Sequence, residues 1–360
     1  MHAVRETRIE ILRIIATVMI IAHHYFIHGL FIWSGYMDVF NSGRLTNKIV
    51  MSLYYPGGYV GVGLFFMITG YFGIYKTATK ARLKNLCVEI LHYALLSAAV
   101  TMIWSFFDTW DVTLQNIYVI ITLFRPFTGV WWYIAIYLIL VLAMPYINRC
   151  LLSMKSGYQK IVVLLAWMGM LAACLIDDNF CFERALFYYL LGTEIRLWAD
   201  AHGCKNVYIK PIPACILAVA SWCAGAYSFY RYFQTQDMKW FAVGYLIATP
   251  VICVLLYFAF LGMPIRNNER VNMIAGCSLG VYLLHDNKGV RQILWQNICQ
   301  VEKQFASPWL PALSIATILA VYTACCFIDR IRAVYFQDKE IRFLDHLWQR
   351  ISTDGSAMEL

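Results

Sequence analysis

Two ionisable side chains interrupt the first apolar run of the chain: Arg13 and His24 lie in ILRIIATVMIIAHHYFIHG with ten residues between them. An ionisable group inside a segment long enough to span a bilayer is costly, so each is a candidate functional residue. At 3.6 residues per turn and 1.5 Å per residue, the step from one to the other returns His24 to nearly the face of Arg13, roughly 16 Å further along. One helix face thus joins a cation near a membrane surface to an imidazole near the middle. An imidazole of ordinary basicity can act as a general base, and a guanidinium binds phosphate through charge-assisted hydrogen bonds. The same two groups would equally serve a proton relay. His28 shares the His24 face one turn outward, whereas His23 is rotated away and is the weaker candidate.

The elements that must hold this face are membrane helices. Of the 360 residues, 61% are hydrophobic and only 14% charged, and the mean hydropathy is +0.60; an ordinary soluble domain carries nearly twice that charge. Apolar stretches recur along the whole chain and predict an all-α, polytopic bundle of about ten spanning helices. The expected spans are 9–32, 57–75, 85–107, 130–148, 160–177, 184–198, 211–233, 239–262, 271–287 and 308–330. The stretch Thr113 to Phe124, closed by Arg125-Pro126, is too short to cross and is expected at the interface. Lysine and arginine fall about twice as often on the side that receives both termini, which places the termini in the cytoplasm. The net charge of +8 is then a matter of membrane orientation, and no nucleic-acid partner is expected. Residues 1–332 form the expected membrane domain, and 333–360, with FLDHLWQRI, a cytoplasmic amphipathic tail. The first span is too long, and too interrupted by Arg13, for a cleaved signal.

Other chemistries find little purchase. The twelve cysteines lie mostly within apolar spans and show no CxxC spacing, so they are read as packing residues and no zinc or redox centre is assigned. His24 and His28 have the i, i+4 spacing of a metal pair, but with eight histidines in all the boxes of a membrane di-iron site are missing, and no metal is expected. No phosphate-binding glycine loop and no fixed-period repeat is visible.

Five segments in order resemble one family. RIEILRIIATVMIIAHH, GVGLFFMITGYF (61–72), VWWYIAIYLILVLAMPYIN (130–148), FYYLLGTEIR (187–196) and CSLGVYLLHDN (277–287) are similar to successive motifs of the acyltransferase 3 family of integral-membrane acyltransferases. Thr69 stands where that family often has serine, and Lys80, Arg82 and Lys84 stand in place of its paired arginines. The resemblance implies transfer of an acyl group, usually acetyl, from cytoplasmic acyl-CoA to a hydroxyl of an extracytoplasmic or lipid-linked sugar, as in cell-surface polysaccharide modification. It implies His24 and Arg13 as the essential pair, acyl-CoA as donor with no tightly bound cofactor, and a multi-pass protein of the cytoplasmic (inner) membrane. Expected partners are acyl-CoA, a carbohydrate acceptor and the bilayer; a homodimer stays open.

The expected roles follow from the chemistry. Acyl-CoA phosphates cannot enter hydrocarbon cheaply, so Arg13 with Lys80, Arg82 and Lys84 forms the expected basic rim, and the pantetheine arm bridges inward to His24. Thr69 and Tyr71 are candidate substrate contacts, with close helix packing as the alternative. Ser278, Tyr282 and His285 are candidate cavity residues on one late span, and the His285-Asp286 pair either orients a catalytic group or simply ends a helix. Trp132 is a sugar-stacking platform or part of an interfacial aromatic belt. The competing reading is a transporter or sensor for a small polar solute, against which no pattern of paired broken helices is evident.

Overall fold

The computed structural model describes residues 6–30, 36–76, 80–107, 131–176, 182–202 and 209–346. For 36, 37, 80–82, 105–107, 174–176 and 288 it describes the backbone only. The expected interfacial stretch Thr113 to Phe124 and the end of the tail lie outside these residues.

Every described element is helical. In chain order they are α1 (Thr7–Leu30), α2 (Tyr36–Ser42), α3 (Leu45–Tyr54), α4 (Pro56–Gly73), α5 (Lys80–Phe107), α6 (Trp132–Ser153), α7 (Ser156–Ile176) and α8 (Phe182–His202). Then follow α9 (Pro211–Thr235), α10 (Met238–Ala242), a π-helical segment (Val243–Ala248), α11 (Thr249–Gly262), α12 (Glu269–Gly276) and α13 (Ser278–His285). The remainder is α14 (Lys288–Gln292), a second π-helical segment (Ile293–Ile298), α15 (Val301–Phe305) and α16 (Leu310–Tyr335). A last helix, 337–346, runs into the tail.

Eight helices or contiguous runs of helical segments among the described residues are long and apolar enough to cross a bilayer. Two further expected spans take other forms. The one at 184–198 is α8, whose Glu183, Arg184, Glu194, Arg196 and Asp200 make it too polar to meet that criterion. The one at 271–287 is broken at Cys277 into α12 and α13. Irregular backbone at membrane depth is tolerated where it lines a cavity or is packed in protein, and this break does both.

The burial pattern sorts the spans. The window in α7 is only 6% buried and that in α16 22%, whereas those in α1 and α3–α4 are 56% and 67%. Exposed Leu164, Leu165, Ile315, Leu319 and Phe327 therefore face lipid, and α1 with α4 forms the interior. Helix α1 packs against α3, α4 and α11 to α13, and against α15 and α16. Its first half (Ile9, Leu12, Ala16) belongs to one apolar cluster with Leu64, Tyr188 and Tyr257, its second half (Ile21, Tyr25, Phe26) to another with Phe229, Phe233 and Trp295.

Glycines permit the central contacts, because in a bilayer helices associate by close packing of small residues. A Cβ on Gly57 would meet the Met19 carbonyl and one on Gly61 the Ala16 carbonyl, so α4 rests directly on the α1 backbone. At the α4–α8 crossing the fit is reciprocal: a Cβ on Gly70 would strike the Tyr189 carbonyl, and one on Gly192 that of Met67. A buried polar knot ties in α6, where Asn148 Nδ2 donates to the Gly73 carbonyl (2.9 Å) and its Oδ1 accepts from the Tyr189 hydroxyl (2.5 Å).

Candidate functional site

Helix α1 carries the site along its length. Near its start, Arg13 Nη1 lies 2.8 Å from Glu10 Oε2, an i, i+3 pair whose acid is buried. The cation read from the sequence is therefore partnered from within its own helix, which lowers the cost of holding it at the membrane boundary. The signal, a carboxylate one turn before the arginine, was present in the sequence and unused.

A cavity of about 410 Å³ begins beside Arg13. Thr17 and Ile20 continue its wall along α1, Phe65 and Thr69 come from α4, Asn85 and Glu89 from α5, and Tyr133 and Tyr137 from α6. The broken span closes it with Ala275, Gly276, Ser278, Tyr282 and, at the far end, His285. The break at Cys277 lies in this wall, between the lining residues Gly276 and Ser278. Ser278 Oγ donates to the Ala275 carbonyl (2.9 Å) and Thr69 Oγ1 to that of Phe65 (2.8 Å).

At the end of the cavity three histidines and a carboxylate meet. His285 Nδ1 is 2.6 Å from the Val281 carbonyl, and His285 Nε2 is 2.9 Å from His24 Nδ1. A carbonyl only accepts, so the His285 proton sits on Nδ1 and, with both rings neutral, its Nε2 accepts the proton on His24 Nδ1. The chain of bonds leaves His24 Nε2 with a free lone pair, the condition for a base. Alongside, His28 Nε2 donates to Asp286 Oδ1 at 3.0 Å, with His24 Nδ1 at 3.7 Å and Arg291 Nη1 at 3.6 Å from the same oxygen. Asp286 and His285 are almost wholly buried, while 14% of the His24 side chain stays accessible. His285, and not His24, lines the cavity; His24 joins it through the His285 ring.

His24, His28 and Asp286 each offer a ligand atom within 4.8 Å of one another, a set able to hold a divalent ion. His24 Nδ1 is bonded to His285, so an ion there would either displace that bond or use the other ring nitrogen.

Of the residues singled out in the sequence, Arg13, Thr69, Ser278, Tyr282 and His285 line one cavity and His24 is bonded to it. Others lie elsewhere. Tyr71 is buried against Tyr257 and under the Arg196 guanidinium. Trp132 stacks on Arg184, which also sits over Tyr59 and Tyr245, an aromatic box around one buried cation. Lys84 bonds both carboxylate oxygens of Asp345 at 2.9 Å, so the tail helix covers it. The side chains of Lys80 and Arg82 lie outside the described set. His23 donates to the Tyr55 carbonyl (2.5 Å) with its ring against Gly58, a packing role.

The sequence reading missed Glu89, which faces the cavity and pairs with buried Arg332 (3.3 Å). Arg332 in turn bonds Asp329 (2.9 Å), which accepts from the Tyr93 hydroxyl (2.6 Å). An acid in the apolar run VEILHYALL was the available signal.

Residues 6–328, nearly the whole chain, match the acyltransferase-domain model of the acyltransferase 3 family. No curated protein and no solved structure matches the chain.

Proposed function

The chain belongs to the acyltransferase 3 family of membrane acyltransferases, and on that premise we propose that it moves an acetyl group from cytoplasmic acetyl-CoA to a sugar hydroxyl with His24 as base. Both termini are cytoplasmic in this reading and the Arg13 end of the cavity faces the CoA pool, in a cytoplasmic (inner) membrane. The CoA phosphates stay at Arg13 and the basic start of α5, where Asn85, next to Lys84, and Glu89, a little over one turn further on, line the cavity. The pantetheine arm follows the wall towards His285.

The acceptor hydroxyl gives its proton to His24 Nε2 as its oxygen attacks the thioester carbonyl. Collapse of the tetrahedral species breaks the C–S bond, and the departing CoA sulfur recovers the proton from the imidazolium. Tyr282, whose ring lies beside His285 with centroids 6.3 Å apart, is assigned as the hydroxyl that faces the developing oxyanion. Asp286 steadies the positive charge that His24 acquires, from 3.7 Å.

The observation that carries this reading is the chain Val281–His285–His24, in which His285 ends a cavity that starts at a cation and accepts the His24 Nδ1 proton, so that the lone pair of the neutral His24 ring lies on Nε2. The test is labelled acetyl-CoA supplied to membranes that hold the protein. His24→Ala is expected to lose transfer by about 10²- to 10⁴-fold, the usual worth of a general base, while CoA binding persists. Transfer retained by that variant rejects His24 as the base.

A further inference from the structure

Donor atoms from two distant stretches of chain converge beside the end of the cavity. His24 and His28 come from successive turns of α1, and Asp286 caps α13. His28 Nε2 stands 3.0 Å from Asp286 Oδ1, and His24 Nδ1 stands 3.7 Å from the same oxygen. The ligand atoms of all three residues lie within 4.8 Å of one another. Around a tetrahedral zinc ion with bonds of about 2.0–2.1 Å, ligand atoms are roughly 3.3 Å apart, so side-chain movements of about an ångström seat the ion. The spacing is already close to a coordination sphere.

Two imidazoles and one carboxylate favour zinc or a similar first-row ion over calcium and magnesium, which take oxygen ligands. Three protein ligands with an open fourth position are a stable arrangement for zinc. In the metal-free protein the His24 Nδ1 and His28 Nε2 protons are donated to His285 and Asp286. Coordination through these nitrogens moves each proton to the other nitrogen of its own ring, so no proton is lost and both rings stay neutral. His285 is left with its proton held on Nδ1 by the Val281 carbonyl at 2.6 Å, and its Nε2 becomes an acceptor for a water in the fourth position.

Both histidines keep an accessible edge, 14% of the His24 side chain and 11% of that of His28, by which an ion can reach them. Arg291 opposes it. Its Nη1 lies 3.6 Å from Asp286 Oδ1, beyond hydrogen-bonding range, and a quarter of its side chain is exposed, so the guanidinium is free to yield to a competing cation.

We propose that His24, His28 and Asp286 form a zinc site that switches the protein off. Zinc on His24 Nδ1 puts the ring proton on Nε2, the atom that must accept a proton from the acceptor hydroxyl; zinc on Nε2 occupies that lone pair directly. Either way the base is lost. The ion is an inhibitor and not a resident cofactor. Its binding stands on the donor set alone, whereas the inhibition rests on the acyl-transfer reading with His24 as the base.

Tag-free, full-length protein in lipid nanodiscs, first stripped with a chelator, is titrated with zinc alone. Calorimetry reads binding, X-ray absorption at the zinc edge reads the ligand atoms, and ¹⁴C-acetyl transfer is run at the same zinc concentrations. The parent is expected to bind zinc through nitrogen and oxygen and to lose transfer as the site fills. His28→Gln should weaken binding and inhibition together by at least about tenfold, each activity being scaled to that variant's own zinc-free rate. Arg291→Gln should tighten both by about threefold or more, since a like charge leaves the site; a misfolded variant cannot imitate that gain. No binding, equal binding by parent and His28→Gln, or sulfur ligands from the exposed Cys87, Cys150 or Cys223 overturns the site. Zinc held by the histidines while transfer is unchanged or faster overturns the inhibition, and with it His24 as a metal-free base. Histidine-dependent zinc binding in a parent that transfers no acetyl group would sink acyl transfer and leave the metal site standing.

Discussion

Removing His285 should cripple the enzyme without touching the proposed base. In the parent, the His24 Nδ1 proton has one acceptor among the described residues, His285 Nε2 at 2.9 Å, because Asp286 Oδ1 at 3.7 Å is beyond hydrogen-bonding range. With His285→Ala the imidazole has two options. It can keep its proton on Nδ1 with no acceptor, at a cost of ~1–3 kcal/mol for a buried donor. Otherwise it moves the proton to Nε2 and can no longer accept one from the substrate. At 1.36 kcal/mol per decade of rate, the first option corresponds to roughly a 5- to 160-fold loss in kcat. His285→Gln returns an amide oxygen to the same place and should recover most of it. The assay is steady-state CoA release with radiolabelled acetyl transfer, on protein in nanodiscs. The loss should fall on kcat, with the KM for acetyl-CoA within about twofold, because in the proposed mechanism His285 orients a ring while the phosphates bind at the other end of the cavity. A kcat for His285→Ala within twofold of the parent, or a loss that Gln fails to restore while CoA binding is intact, refutes the tautomer argument.

Three other outcomes are expected. Gly192→Ala should lower the melting temperature in detergent by several degrees, since its Cβ would meet the Met67 backbone and overpacking costs ~1–3 kcal/mol; Gly169→Ala, with open space around it, should be neutral or stabilising by up to ~1 kcal/mol. Asp345→Asn should change stability by less than ~1 kcal/mol, because its pair with Lys84 is half exposed, yet lower the KM for acetyl-CoA by freeing the ammonium; an unchanged KM removes Lys84 from the rim. Prolonged dialysis against a chelator should leave transfer unaltered, as the proposed mechanism uses His24 as a metal-free base whose Nδ1 is bonded to His285. Activity lost on chelation and restored by zinc would convert His24, His28 and Asp286 into a metal centre.

Legibility differed between residues for physical reasons. Arg13 and His24 were readable because an ionisable group is rare and costly in an apolar span, and Glu89 and Arg332 carried the same signal more faintly, since each needs a partner more than two hundred residues away to be understood. Lys84 looked like a free rim cation because nothing local shows that Asp345 of the tail covers it. Tyr71 and Trp132 bore the right chemistry but point to Arg196 and Arg184, a choice made by helix rotation in the bundle.

Composition and periodicity alone determined that this chain is an all-α membrane bundle and that Arg13 and His24 share a face, since bilayer thickness and helical pitch constrain any sequence alike. Tertiary structure decided which nitrogen of His24 is free. That depends on a histidine 261 positions away whose own proton is held by a backbone carbonyl, and hydrogen-bond direction of this kind exists only once the two helices are packed.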